Sequence, residues 1–133
     1  MERHARIPTL RTLLTLDAVT CTVMGGLLLA ASGPIASVTQ IPAGFLSGAG
    51  MLLLPIAAFM VAVARLRPIP GWAALMVVLG NALWVVASVA LPASGVLAPN
   101  LPGWICLLAQ AVVVALLAVL EFEAVQRSGR ALA

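Results

Sequence analysis

The chain consists of long apolar runs separated by short polar breaks, and this pattern predicts its secondary structure. Residues 12–64 and 68–120 together contain a single charged side chain, Asp17. Each stretch is divided by a break rich in Pro, Gly and Ser, at residues 32–44 and 92–103. Since about 20 apolar residues in a helix cross the hydrocarbon core of a bilayer, each stretch is long enough for two crossings. The sequence therefore predicts four transmembrane helices, near residues 11–31, 43–65, 71–92 and 102–124.

Composition restricts the fold class in the same direction. The chain is 63% hydrophobic and 8% charged, with a mean hydropathy of +1.18, whereas about a quarter of the residues of a soluble domain are charged. Strands do not fit, because an open sheet edge cannot lie in lipid and a transmembrane barrel alternates in polarity. We expect an all-α membrane protein, in which residues 1–133 form a single bundle of four transmembrane helices.

The positive charges predict how the bundle is oriented. All seven cationic residues are arginines, and they fall at the N-terminus, the middle connection and the C-terminus, while the two other connections carry no charge. This distribution follows the positive-inside rule, so both termini and the middle connection should be cytoplasmic, in a bacterial cytoplasmic membrane. It makes the bilayer, and not nucleic acid, the partner of the basic residues. The orienting residues are Arg3, Arg6, Arg11, Arg65, Arg67, Arg127 and Arg130.

The two halves of the chain show a faint duplication. Asp17-Ala18 aligns with Asn81-Ala82, and Ser32-Gly33 aligns with Ser94-Gly95, although short gaps are needed. If the repeat is real, the helices form two tandem parallel hairpins related by an axis along the membrane normal. The repeat, the length of the first apolar run and the presence of Asp17 favour a retained first helix over a cleaved signal peptide.

Asp17 is the residue that most needs an explanation, because an acidic side chain near a helix centre costs about 2.5–3.5 kcal/mol on insertion. Three interpretations are open. Asp17 is neutralised by Arg65 or Arg67, or is protonated and hydrogen-bonded to Asn81. Alternatively it pairs with a basic group of another subunit and determines assembly. In the third interpretation it is a proton- or cation-responsive site in a transport path.

Helical spacing places polar residues of three helices on stripes that can face a common interior. The resulting prediction is an intramembrane polar cluster of Asp17, Thr20, Asn81, Trp84, Ser88, Gln110 and Glu121. With helix four ending near residue 124, Glu121 and Glu123 should lie close to the cytoplasmic surface and pair with arginines there.

Helix two has a different character. Gly44 and Gly48 have the spacing that allows close approach of two helices, and packing within the chain is favoured over a dimer interface. Pro55 removes a backbone hydrogen bond and should kink the helix.

The chain lacks the residue types that several membrane-protein functions require. The single histidine, His4, lies outside the predicted spans, and the chain has no lysine. Paired-histidine haem ligation and a retinal Schiff base are therefore excluded. With no phosphate-binding loop and no Ser-His or Cys-His couple, we expect no enzyme activity, no catalytic residues, no cofactor and no metal.

Two resemblances follow from these residues. The segments GNALWVVASVAL (80–91) and LLAQAVVVALLAVLEFE (107–123) resemble uncharacterised small four-helix integral membrane proteins of bacteria, a group without an assigned activity, so this resemblance implies the fold alone. In size, in helix number and in Asp17 on the first helix, the chain also resembles the small multidrug resistance transporters. That family carries Glu at the corresponding place, and Asp17 is the only matching residue.

Small size, short connections and missing catalytic groups favour one function class. We expect an accessory or assembly subunit of a larger membrane complex, with other membrane subunits as partners, or a homo-oligomer. The alternative is a small-solute or ion transporter in which Asp17 is the coupling carboxylate.

Overall fold

The computed structural model describes residues 9–131, and this part of the chain is helical, without strands. Four of its helices are long and apolar enough to cross a membrane. The predicted all-α fold with four transmembrane helices is therefore confirmed, and the chain is a small multi-pass membrane protein. The helices are α1 (Leu10–Ala30), α2 (Ser32–Thr39), α3 (Ala43–Arg65), α4 (Gly71–Ala93) and α5 (Leu101–Ala131).

The four long helices begin within one residue of the predicted positions, but two boundaries differ from the prediction. The first polar break is not a plain loop, because it contains α2, which ends at Gln40 in the left-handed conformation with φ 59°. Gln40 is therefore the residue that caps the end of α2, and α3 begins at Ala43. In addition, α5 continues to Ala131 instead of ending near residue 124. Charged residues mark the edge of the hydrocarbon, but Glu, Gln and Arg are good helix formers, so the backbone remains helical beyond that edge.

The long helices are arranged as two hairpins. In the first hairpin α1 packs against α3, and in the second α4 packs against α5; contact between the hairpins is less extensive. The short helix α2 lies against α3 and α5. In the most apolar 18-residue segment of each long helix, no more than 39% is buried inside the bundle. Most of the apolar surface of the helices is therefore available to lipid.

Two apolar clusters fill the interior, one towards each end. The first is at the end that carries Arg11 and Arg65, and it includes Leu14 of α1, Met60 of α3, Ala74 of α4 and Ala124 of α5. The second is at the opposite end and joins α1 and α3 to the connections. Its buried members are Leu28, Ile41, Leu46, Leu53 and Leu97.

Close contact between α1 and α3 depends on Gly25 and Gly50. A Cβ atom on Gly50 would lie 2.8 Å from the Gly25 carbonyl oxygen, and one on Gly25 would lie 3.1 Å from the Gly50 carbonyl oxygen. The prediction that Gly44 and Gly48 pack within the chain was wrong, because both are exposed and a Cβ atom on either would meet nothing within 4 Å. Two residues along a helix correspond to about 200° of rotation, so Gly48 and Gly50 lie on nearly opposite faces.

Pro55 lies within α3 and is exposed. The helix is continuous from Ala43 to Arg65 around it. Its position on the lipid-accessible surface keeps the proline ring away from the contact with α1.

Asn100 joins the two hairpins at the end opposite the arginines. Its side-chain oxygen accepts a hydrogen bond from the Gly103 backbone N–H at 2.9 Å, so it caps the start of α5. Its side-chain nitrogen donates to the Val38 carbonyl at 2.7 Å, and its backbone N–H donates to the Thr39 carbonyl at 3.1 Å. One residue thus caps the last helix and connects it to the end of α2.

The orienting arginines are only partly within the described residues. Arg11, Arg65 and Arg127 lie at the same end of the bundle, as the positive-inside pattern requires. Arg3 and Arg6 lie outside the described residues, as do His4 and the side chain of Arg130.

Candidate functional site

A buried polar contact lies at the boundary between the two hairpins. The Asn81 side-chain nitrogen donates to Asp17 Oδ2 at 2.6 Å and to Glu121 Oε2 at 3.1 Å. Asp17 is 1% exposed and Glu121 is 0% exposed. We call Asp17 and Glu121 the carboxylate pair. Its two members come from different hairpins and share one amide donor.

The carboxylate pair lies well inside the helices. At about 1.5 Å per residue, Asp17 is roughly 10 Å from the start of α1, and Asn81 is roughly 15 Å from the start of α4. Glu121 is about 15 Å from the end of α5 because that helix extends to Ala131. Glu121 is fully buried and accepts from Asn81, as the predicted polar cluster requires, so the prediction that it lies near the surface and pairs with an arginine was wrong.

The hydrogen bonds of the carboxylate pair are incomplete. Asp17 Oδ1 accepts from the Cys21 thiol at 3.7 Å. Glu121 Oε1 is buried and has no hydrogen-bond partner within the described part of the chain. An unsatisfied polar atom in an apolar interior is costly, so this oxygen is the least stable feature of the contact.

Arginine does not neutralise Asp17 in the way that one interpretation required. Arg65 and Arg67 are exposed, and Arg11 donates to the backbone carbonyls of Ala64 and Leu66 at 2.7 and 3.0 Å. The same interpretation offered a hydrogen bond between Asp17 and Asn81 as an alternative to an arginine partner, and this hydrogen bond is present.

Burial also bears on the interpretation that Asp17 pairs with another subunit. The side chain is enclosed by this chain alone, at 1% exposure, and its oxygens face Asn81 and Cys21. A basic group on a second subunit cannot reach Asp17 in this conformation. Any contact with another subunit must use a different surface.

A second polar contact connects α4 to α5. The Trp84 indole N–H donates to Gln110 Oε1 at 2.8 Å, and the Gln110 side-chain nitrogen donates to Ser88 Oγ at 2.6 Å. The Ser88 hydroxyl donates to the Trp84 carbonyl at 2.8 Å. Because these groups satisfy one another, the contact holds two helices together and leaves no group directed at a ligand.

Thr20 does not belong to either contact. It is exposed, and its hydroxyl donates to the Leu16 carbonyl at 2.9 Å. A threonine in a helix can satisfy its own hydroxyl in this way and face lipid, so its polarity is a weak signal of an inward position. Cys21, the next residue, contacts Asp17 in its place.

The donor set decides what the carboxylate pair can bind. Residues 9–131 contain no group of three or more His, Cys, Asp or Glu side chains that could hold a metal ion. Asn81 presents N–H groups to both carboxyl groups, whereas hard metal cations prefer oxygen ligands. No family profile, curated protein or solved structure matches the chain.

Proposed function

We propose that this protein is a small proton-coupled transporter, and that the carboxylate pair is its proton site. The observation that supports this proposal most directly is the burial of Asp17 and Glu121 around one amide donor, with Glu121 Oε1 left without a partner. Ionisable side chains within membrane spans are costly and mark proton relays and ion paths. From the sequence alone we favoured an assembly subunit and gave a transporter as the alternative. The buried carboxylate pair leads us to favour the transporter.

Electrostatics explains why such a site would hold a proton. Two carboxylates that contact one amide group repel each other strongly when both are charged. A single proton shared by the pair removes half of this charge and supplies a donor where Glu121 Oε1 lacks one. Losing that proton restores the repulsion, so proton binding is coupled to the distance between the two hairpins.

The position of the pair suggests how this coupling could drive transport. Asp17 belongs to the first hairpin, while Asn81 and Glu121 belong to the second. Packing is extensive within each hairpin and weaker between them, which favours rocking of one hairpin against the other, as in transporters built from repeats. Asn100 connects the hairpins at the end away from the arginines and could act as a pivot.

Proton movement in proteoliposomes tests this proposal. Liposomes that contain the protein and a trapped pH-sensitive dye are given a pH gradient, and small cationic and neutral solutes are added one at a time. We expect at least one solute to cause proton movement with the wild type, and Asp17→Asn and Glu121→Gln to abolish it.

Glu123→Gln is the matched control, because it removes one carboxylate from an exposed position two residues away on the same helix. It should retain wild-type proton movement. Helix content and a monodisperse profile in detergent must be unchanged in all variants. Equal proton movement in the wild type and in Asp17→Asn, or none with any solute, would contradict the proposal.

Assembly with other membrane subunits or with a second copy is the other candidate function, and one observation favours it. The face of α3 that carries Gly44 and Gly48 is exposed and sterically open, and this glycine spacing is typical of contacts between transmembrane helices. Gentle extraction followed by native mass spectrometry tests it. An assembly that is lost in Gly48→Leu and retained in Asp17→Asn would support assembly through α3, and a monomeric wild type would contradict it.

A further inference from the structure

A groove between α1 and α3 opens at the arginine end of the bundle, away from the carboxylate pair. Its volume is about 350 Å³. We call it the arginine groove. Half of its lining residues are arginines and none is acidic; they are Arg11, Thr15, Val61, Ala64, Arg65 and Arg67.

Arg11 is held in place at one wall of this groove. Its Nε donates to the Ala64 carbonyl at 2.7 Å and one terminal nitrogen donates to the Leu66 carbonyl at 3.0 Å. These two bonds fix the guanidinium plane against the end of α3 and use two of its five N–H donors. The other three N–H groups of Arg11 make no hydrogen bond within the described part of the chain, and Arg11 lines the groove.

Arg65 and Arg67 supply the other two charges. Both are exposed, and they lie at and just beyond the last residue of α3. The groove therefore combines one guanidinium held by hydrogen bonds with two exposed ones. Arginine recognises phosphate oxygens through paired, charge-assisted hydrogen bonds, so a phosphate group is the anion that this arrangement fits best.

The depth of the groove indicates what the phosphate belongs to. Arg11 and Arg65 lie at helix ends, where lipid headgroups meet the hydrocarbon. Thr15 and Val61 line the same groove one helical turn further into the bundle. The groove thus offers cationic contacts at headgroup level and continues along apolar helix surface, as a phosphate attached to acyl chains would require.

We propose that the arginine groove binds the headgroup of an anionic phospholipid, with its phosphate held by Arg11, Arg65 and Arg67. Basic pockets between transmembrane helices are a recognised means of binding such headgroups. The groove shares no residue with the carboxylate pair. Lipid binding is therefore tested separately from the proposed transport.

Lipid retention in native mass spectrometry tests the proposal. The protein is delipidated in detergent and then titrated with phosphatidylglycerol, with phosphatidylcholine, and with phosphatidylglycerol in the presence of inorganic phosphate. We expect the wild type to prefer phosphatidylglycerol. Arg65→Gln and Arg67→Gln should each weaken this binding about fivefold, and the double variant about 30-fold, since each removes one of the cations that line the groove.

Arg127→Gln is the matched control. It removes one positive charge from the same end of the bundle but does not line the groove, so it should change binding less than twofold. Because Arg65 and Arg67 are exposed, their substitution leaves the fold intact. Equal binding of the two lipids, an equal effect of Arg127→Gln, or displacement of the lipid by millimolar inorganic phosphate would overturn the proposal.

Discussion

Substitution of Gly50 by alanine should separate α1 from α3 and destabilise the protein. The added Cβ would lie 2.8 Å from the Gly25 carbonyl oxygen, 3.0 Å from Leu28 Cβ and 3.1 Å from Leu29 Cγ. A carbon and a carbonyl oxygen normally approach to about 3.3–3.6 Å, so the helices must move apart by roughly 0.5 Å or more. The nearest atom belongs to the backbone, and a change of side-chain rotamer cannot relieve the clash.

The magnitude follows from two opposing effects. Overpacking a filled interior costs about 1–3 kcal/mol, while replacing glycine by alanine in a helix returns up to about 1 kcal/mol. With the middle of the first range and the full gain, the free energy of unfolding of Gly50→Ala should fall by about 1 kcal/mol. Reversible unfolding in mixed micelles of increasing SDS content, followed by circular dichroism, measures this difference.

Gly48→Ala is the matched control. It makes the same chemical change two residues earlier in α3, where the added Cβ meets nothing within 4 Å. Its free energy of unfolding should be unchanged or slightly raised. If Gly50→Ala proved as stable as Gly48→Ala, the argument that Gly25 and Gly50 set the distance between these helices would be refuted.

Three further substitutions test the polar contacts. Asn81→Leu removes the donor shared by the carboxylate pair and should lower the free energy of unfolding by about 2 kcal/mol in the same assay, because two hydrogen bonds are lost in an apolar layer. A stability equal to the wild type would show that the pair needs no donor. Asn100→Ala should cost about 1 kcal/mol through loss of the α5 cap, with faster hydrogen exchange confined to the first turn of α5; uniform exchange along the helix would contradict this. Gln110→Leu should shift the Trp84 fluorescence to shorter wavelength, measured with the other two tryptophans replaced by phenylalanine, because the indole N–H loses its acceptor; an unchanged spectrum would show that the bond is absent in solution.

The sequence determined the fold class because a bilayer leaves a chain few choices. Backbone polar groups must be satisfied internally in lipid, so long apolar runs between polar breaks had to become helices. The long helices accordingly begin within one residue of the predicted positions. The cost of burying a charge likewise identified Asp17, and helical spacing selected Asn81 and Gln110 as inward-facing residues.

Hydropathy could not determine where helices end outside the lipid. It marks the edge of the hydrocarbon, whereas backbone hydrogen bonds extend α5 to Ala131 and form α2 within a polar break. Glu121 was predicted both in the polar cluster and near the cytoplasmic surface, and its burial and its hydrogen bond to Asn81 agree with the first of these predictions. The predicted polar cluster already contained Asp17 and Glu121, but only the tertiary structure showed that both carboxyl groups accept from Asn81.

Only the tertiary structure decided which small and polar residues face a neighbour. Gly44 and Gly48 have the spacing of a packing motif, yet the contact uses Gly50 on nearly the opposite face and Gly25 on α1. Thr20 was predicted to face the interior because it is polar, but its hydroxyl donates to a carbonyl of its own helix. Helical periodicity fixes which residues share a face, while the choice of the face that is buried depends on how all the helices pack together.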